Sequence, residues 1–432
     1  MSDLRSEMGR SRTGRRLKIL LTEGSSLSAR HTLYALGSAG HTIDICDPKP
    51  LCIARFSRFV RAWHRCPSFV ADPKGYIQFL TDRLRAEHYD VLLPVHDQVY
   101  LLSRFRDHFT RLTGLAVPEF AAMEQLQSKA SLIRVLDSLK IPFPPTRLAR
   151  TREELERTCE FPCYIKLAHS TAGCGVWLVR NRDELAEVLT TIEQSGVLDG
   201  GTEILVQQPA AGVFCVSQSV FQHGRLIAVH CYQARALGVG GSARARISVS
   251  HPIVAEHHRR IGAHLNWHGA LNLEYFFDPT TGQPSYVDAN PRIGETLNAT
   301  LSGLNLCELL LSVSLDESIA CPPPPKTGVR THSVVMSLMA VAQRSESRWK
   351  VLKELKDAWL NADVYSRSQD ELTRPQEDLL SLLPGAVVAI QLLTQPRIAQ
   401  RIVRRTVDNY ALSEAAVRAI RELEIGSSVM QR

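Results

Sequence analysis

The stretch LNLEYFFDPTTGQPSYVDANPR, residues 271–292, limits what this chain can fold into more than any other. Two alternating runs, 269–277 and 284–290, flank the turn-rich DPTTGQP and read as an antiparallel hairpin. With the turn centred on Thr281, Glu274 faces Asp288, Asn272 faces Asn290 and Phe276 faces Tyr286 on one side of the pleat. Leu273 with Ala289 and Tyr275 with Val287 form the other, apolar side. One β-bulge would shift part of this register. Carboxylates about 5 Å apart repel each other unless a proton or cation lies between them. Oxygen donors of this kind suit Mg2+, which takes one or two carboxylates and completes its shell with water and substrate phosphates. Glu274, Asp288 and Asn290 are therefore candidate metal ligands, although a solvated hairpin face with acids at random gives the same pattern.

A second stretch breaks that tie. YIKLAHSTAGCGVWLV, residues 164–179, places Lys166 in an otherwise apolar strand, where an isolated charge is costly unless paired. Ser170, Thr171, Gly173 and Gly175 follow before the next strand. Glycines let backbone N–H groups come close to an anion, and the lysine adds a point charge. The loop joins strand to strand, so it is not a Walker P-loop. Beside an acidic, metal-holding hairpin it reads as the phosphate half of one nucleotide site.

The rest of the chain gives the frame. LKILLTE, GSSLSARHTLYALGSAG and HTIDICDP read as a strand, a turn, a helix closed by Gly40 and a second strand, which begins a parallel sheet. A helix near 74–87, a strand at 90–95 and a helix from about 97 to 110 continue it. The Gly24-Ser25-Ser26 turn does not match GxGxxG, so no dinucleotide site is expected. The helix QSKASLIRVLDSLKI, ended by PFPPT, opens a second unit that contains the lysine strand, the glycine loop and EILVQQ. A hairpin about QHGR at 212–234, a mobile loop GVGGSARAR at 238–246 and a helix at 252–266 lead into the acidic ribbon. Arg244 and Arg246 near that loop suggest an anionic carboxylate substrate. The hundred residues after CPPPPKTG read as mainly helical.

Of the net charge of +7, residues 1–18 carry +4, so a basic tail accounts for most of it. With no aromatic–basic platform elsewhere, nucleic acid is not an expected partner. The ten cysteines form no CxxC pair, which argues against a zinc ribbon or a disulfide framework. The longest apolar runs, such as AVVAIQLL from Ala386, fall short of the roughly 18 residues of a membrane span. The N-terminus lacks the apolar core of a secretory signal, so a cytoplasmic protein with no membrane partner is expected.

Taken together, these residues resemble the ATP-grasp superfamily over roughly 17–310, in the branch that includes the large chain of carbamoyl-phosphate synthetase and many carboxylate–amine ligases. The resemblance implies ATP and two Mg2+ ions as cofactors, with Mn2+ as a possible substitute. It makes Lys129 and Lys166 the phosphate lysines, 169–175 a flap over the phosphates, and EILVQQPAAG the hinge that holds adenine. It makes Glu274, Asp288 and Asn290 the Mg2+ ligands, Arg292 the arginine that steadies the transferred phosphoryl group, and Arg235 a contact to acyl phosphate or substrate. The chain departs from the pattern at three places. Gln207 and Gln208 stand where the hinge usually has a glutamate, Val213 and Phe214 follow Gly212 where a ribose-binding acid is usual, and Asp288 replaces the commoner glutamate.

The expected fold class is α/β: a basic tail (1–15), an N-terminal doubly wound parallel-sheet domain (16–117), an α+β ATP-grasp domain (118–324) with a lid at about 162–208, and a mainly helical C-terminal extension (325–432). The implied activity joins a small-molecule carboxylate to an amine with release of ADP and phosphate, in a protein that could form a homodimer. A grasp-fold kinase and a non-catalytic ATP-binding regulator are the alternatives.

Overall fold

The computed structural model describes residues 15–170, 173, 175–198, 201–371, 377–402 and 411–424. The basic tail through residue 14, and Thr171 and Cys174 of the flap, lie outside the described residues.

Four parallel strands, β1 (Lys18–Leu21), β2 (Thr42–Asp47), β3 (Val60–Arg65) and β4 (Val91–Leu93), lie in the order β3-β2-β1-β4. Both faces of such a sheet are covered, so its central strands are continuously apolar, and Ile19, Leu20 and Leu21 are wholly buried. The helix Leu27–Ser38 starts where Ser26 accepts from Ala29 N, and the chain turns away at Gly40, whose φ of +92° favours glycine. The helix expected at 97–110 is two pieces, Gln98–Arg104 and Arg106–Phe109, broken at Phe105 with φ −113° and ψ 28°. β3 was not legible as a strand, because VRAWHR has no clean apolar run.

The lid is an antiparallel sheet of β5 (Thr146–Ala149), β6 (Cys163–Leu167), β7 (Val176–Val179) and β8 (Ile204–Gln207), in the order β5-β8-β6-β7. The helix Arg182–Gln194, capped by Asn181, buries Leu185, Val188, Leu189 and Ile192 against it. Ahead of the lid, two helices rather than one, Phe120–Gln127 and Lys129–Ser138, meet at Ser128, whose side chain caps the second.

The largest sheet has seven strands: β9 (Val213–Gln222), β10 (Arg225–Leu237), β11 (Ala243–Val249), β12 (Gly269–Asp278), β13 (Gln283–Asn290), β14 (Arg330–His332) and β15 (Gln369–Asp370), in the order β13-β12-β9-β10-β11-β14-β15. β9 and β10 are joined through His223 and Gly224, both at positive φ, the geometry of a tight hairpin. GVGGSARAR is not the mobile loop expected: only 238–242 is a turn, and Ala243 onward is strand β11, paired with β10 and β14. Three glycines made the segment read as loop, yet the alternation of Ala243 and Ala245 with arginines fits a pleat, and both alanines are buried. The C-terminal extension carries the helices Val334–Ser345, Arg348–Trp359, Leu383–Thr394 and Glu414–Glu422, and it adds β14 and β15 to the large sheet. Among the described residues no helix is long and apolar enough to cross a membrane.

Candidate functional site

The acidic ribbon is β12–β13, at the edge of the large sheet. Its register follows the expectation at Asn272–Asn290, Leu273–Ala289 and Glu274–Asp288. Beyond Asp288 a bulge intervenes, so that Tyr275, not Phe276, faces Tyr286, and Val287 is the extra residue. Burial explains it. The bulge turns Tyr286 onto the core face beside Tyr275, with ring centroids 5.5 Å apart and both rings wholly buried. Their hydroxyls are hydrogen-bonded with His251 Nδ1 at 2.9 Å and His257 Nδ1 at 3.1 Å.

Two lysines reach this ribbon from different elements. Lys129, the first residue of its helix, sets Nζ 3.0 Å from Asp288 Oδ2 and donates to the Ser170 carbonyl at 3.2 Å. Lys166, on β6, donates to Gln207 Oε1 at 2.6 Å and to the Val287 carbonyl at 3.3 Å. Gln207 in turn donates from Nε2 to Thr146 Oγ1 at 2.9 Å. The lysines are 6% and 8% exposed, so their charges face the site and not bulk water.

Burial pushes the Glu274 carboxyl up to about 7, and the Asp288 charge adds to the push. Burial pushes the Lys166 ammonium down to about 8, with Asp288 working against it. Asn290 Nδ2 donates to Glu274 Oε1 at 3.0 Å, which joins the third predicted ligand to the pair. Two facing carboxylates and an amide oxygen form an all-oxygen donor set, which fits Mg2+. Among the described residues no cluster of three or more His, Cys, Asp or Glu side chains offers another metal site.

Of the flap segment, Ser170 lies against Lys129. Ser170 Oγ is buried without a partner, and the Ser170 carbonyl is held by Lys129. Gly173 and Gly175 have φ of +74° and +78°, and a Cβ on Gly173 would come within 2.8 Å of the Gly240 carbonyl oxygen. At the base of the flap His169 Nδ1 is hydrogen-bonded with Glu414 Oε1 at 2.7 Å.

Other predicted residues sit apart from this cluster. Gln208 turns the opposite way from Gln207, donates to the Glu160 carbonyl at 2.9 Å, and lines a cavity of about 250 Å3 together with Thr146, Glu160 and Val206. Arg235 donates to the Val364 carbonyl at 3.3 Å, in the C-terminal extension. Arg292 is ion-paired with wholly buried Asp97, whose other oxygen accepts from Leu412 N at 3.2 Å. Burial alone would raise Asp97; the Arg292 charge overrides it, with His96, and holds the carboxyl well below the usual range.

Arg244 and Arg246 are engaged by carboxylates of this chain. Arg244 pairs with Glu354 at 2.6 Å; Arg246 pairs with Glu295 and Glu371 and lies 5.0 Å over the Tyr232 ring. Asp97, Glu295 and Glu371 were missed as site neighbours. Asp97 left a signal, since it follows the strand DVLLPV at the carboxyl end of a parallel sheet, where sites gather. Glu371, 125 residues from Arg246, left none.

Residues 126–210 match the family described as RimK-like ATP-grasp domain. The arginine-specific carbamoyl phosphate synthase large chain of Geobacillus stearothermophilus is 22% identical over 315 residues, 68% of this chain and 28% of that one. The carbamoyl phosphate synthase large chain of Thermus thermophilus is 26% identical over 197 residues, 41% of this chain and 18% of that one. This chain thus spans less than a third of the length of these curated relatives. Among solved structures, the biotin carboxylase domain of Hydrogenobacter thermophilus 2-oxoglutarate carboxylase, in complex with MgADP, ADP and bicarbonate, superposes with a TM-score of 0.59 at 14% identity, covering 73% of this chain and 74% of that one. N5-carboxyaminoimidazole ribonucleotide synthetase of Thermus thermophilus gives 0.56 at 18% identity, over 73% and 82% of the two chains. The L-amino acid ligase of Bacillus licheniformis gives 0.56 at 16% identity, over 72% and 79%.

Proposed function

We propose that this chain, whose residues 126–210 match the RimK-like ATP-grasp domain, is an ATP- and Mg2+-dependent ligase that activates a small-molecule carboxylate as an acyl phosphate and joins it to an amine. One observation carries this reading: two buried lysines, one from a helix and one from the lid, converge on the facing Glu274–Asp288 pair. The likeness to an L-amino acid ligase and to a complex holding MgADP supports it.

In this reading Lys129 and Lys166 hold phosphate oxygens as point charges, and the unpartnered Ser170 hydroxyl adds a donor. Gln207, on the Lys166 side of the lid sheet, takes the role of the missing hinge glutamate toward adenine, whereas Gln208 turns to the opposite face. Glu274, Asp288 and Asn290 would hold two Mg2+ ions, with Mn2+ able to replace them. When bound, the ions neutralise phosphate charge. Arg292, fixed by Asp97, steadies the transferred phosphoryl group. A carboxylate oxygen attacks the γ-phosphorus and the bond to the bridging oxygen breaks, releasing ADP. The amine nitrogen then attacks the acyl carbon, phosphate leaves with the C–O electron pair, and the nitrogen loses a proton. The flap excludes water meanwhile. Arg235 reaches the substrate only by leaving the Val364 carbonyl. The substrates are small molecules, met in the cytoplasm.

Incubation with ATP, Mg2+ and a panel of carboxylates and amines tests the proposal. ADP released only with a matched pair, and a product mass equal to the two substrates less one water, supports it. A product heavier by one phosphoryl group makes the protein a kinase. No calorimetric binding of ATP in the presence of Mg2+ overturns it.

A further inference from the structure

A second polar cavity lies in the N-terminal domain, at the carboxyl ends of β1 and β2. Thr22, Glu23, Asp47 and Gln98 line it, with the rings of Phe69 and Tyr76 on its apolar side. In the order β3-β2-β1-β4, β1 is flanked by β2 on one side and β4 on the other, and open parallel sheets take ligands outside such a switch point. The cavity is about 10 Å3, the space of one water-sized group such as an ammonium head.

Two lining atoms are unsatisfied. Thr22 Oγ1 and Gln98 Oε1 are buried without a hydrogen-bond partner, in residues 1% and 2% exposed. A stranded buried acceptor carries a full desolvation penalty, so a structure that retains one is matched to a donor it expects to meet. The carboxylates beside them are also short of positive charge. Glu23 accepts from the Ser25 and Ser26 amides and the Ser26 hydroxyl, all neutral donors. Asp47 accepts from Gly24 N, Ser25 Oγ and Lys49 N, with the Lys49 charge on its outer side. Burial pushes Glu23 up to about 7, and the Asp47 charge works in the same direction. One water would satisfy Thr22 and Gln98, yet it would bring no positive charge to the Glu23–Asp47 pair.

We propose that the cavity receives a primary ammonium group of a small-molecule substrate. Three N–H donors meet three kinds of acceptor there: the Gln98 amide oxygen, the Thr22 hydroxyl and the Glu23–Asp47 carboxylates. The aromatic faces of Phe69 and Tyr76 suit a cation. Gln98 follows Asp97, the partner of Arg292, so the subsite and the phosphoryl-transfer site share one helix start. The ligand's role as a substrate rests on the ligase reading; the ammonium site itself does not.

The test is thermal unfolding and ligand-detected NMR of the full chain with methylammonium and propylammonium chloride, tetramethylammonium serving as the control without N–H donors, and no nucleotide present. The primary ions should bind saturably and raise the unfolding midpoint, and tetramethylammonium should not. Glu23→Gln should weaken binding about tenfold, the loss of one charged hydrogen bond. Gln98→Leu removes the stranded amide, so it should raise the midpoint of the free protein and still weaken binding about tenfold. This variant keeps the test open if Glu23→Gln fails to fold. Absence of binding to the unaltered chain, as for a cavity that holds only water, or binding to both variants as tight as to the unaltered chain, overturns the proposal. Calorimetry with ATP and Mg2+ in parallel separates the two readings. Lost ammonium binding with intact ATP binding removes the subsite alone; lost ATP binding with intact ammonium binding removes the ligase reading alone.

Discussion

Single residues in this protein act through charges held away from water. Lys166 sits on an apolar strand with its ammonium shared between Gln207 and the Val287 carbonyl, so Lys166→Met should leave the lid folded. On the ligase reading, turnover should fall 10²–10³-fold, about 3–4 kcal/mol of lost stabilisation of developing phosphate charge. ADP release and circular dichroism measured side by side check this; a turnover unchanged by the substitution refutes the assigned role. Arg292 and Asp97 behave differently, because the pair is buried. Arg292→Met removes the main counter-charge of buried Asp97 and should cost about 3–5 kcal/mol in urea unfolding. The double variant Arg292→Met/Asp97→Asn should recover a large part of that loss, which a double-mutant cycle measures directly.

At the scale of elements, the helix Pro252–Leu265 and the large sheet are joined by neutral histidines. His258 lies between the Ser217 and Ser219 hydroxyls at 2.7 and 2.9 Å, and burial pushes it down to about 3. His230 of β10 joins the sheet to another helix, Leu297–Leu301, through Asn298 at 2.8 Å, and is pushed down to about 4, again by burial. Both folded-state values lie below the ordinary 6.5. The unfolded chain therefore binds protons that the folded chain refuses, and the stability these residues give is complete above about pH 6.5 and lost as pH falls toward 4 and 3. Urea midpoints should decline through that window, and His258→Gln should flatten the decline. An identical profile for the variant would refute the assignment. Sheet register shows how far element-level reading reaches. Period-two alternation paired Glu274 with Asp288 correctly, but the bulge at Val287 is invisible to it, because it depends on where the Tyr286 ring finds a core.

On the scale of the whole molecule, the C-terminal extension is fastened to every other part. Glu371 meets Arg246 of the large sheet, Asp378 meets Arg30 at 3.9 Å and Ser57 in the N-terminal domain, and Glu414 meets His169 of the flap. Its helix Arg348–Trp359 nonetheless leaves Trp349 and Trp359 75% and 86% exposed. Large exposed aromatics mark interaction surfaces, and we propose that this one joins two copies of the chain. Light scattering should give twice the chain mass, and Trp359→Glu should give a monomer with an unchanged unfolding midpoint.

The sequence by itself determined the fold class, the facing of Glu274 and Asp288 and the glycine turn after Lys166, because each is written in local spacing: period-two alternation, a charge in an apolar strand, glycines where φ must be positive. Tertiary structure alone decided that Lys129 reaches Asp288 across 159 residues, that Arg292 belongs to Asp97, and that Arg246 is held by Glu295 and Glu371. The partner of a buried charge is whichever opposite charge the packing brings within a few ångströms, and no local pattern records that distance.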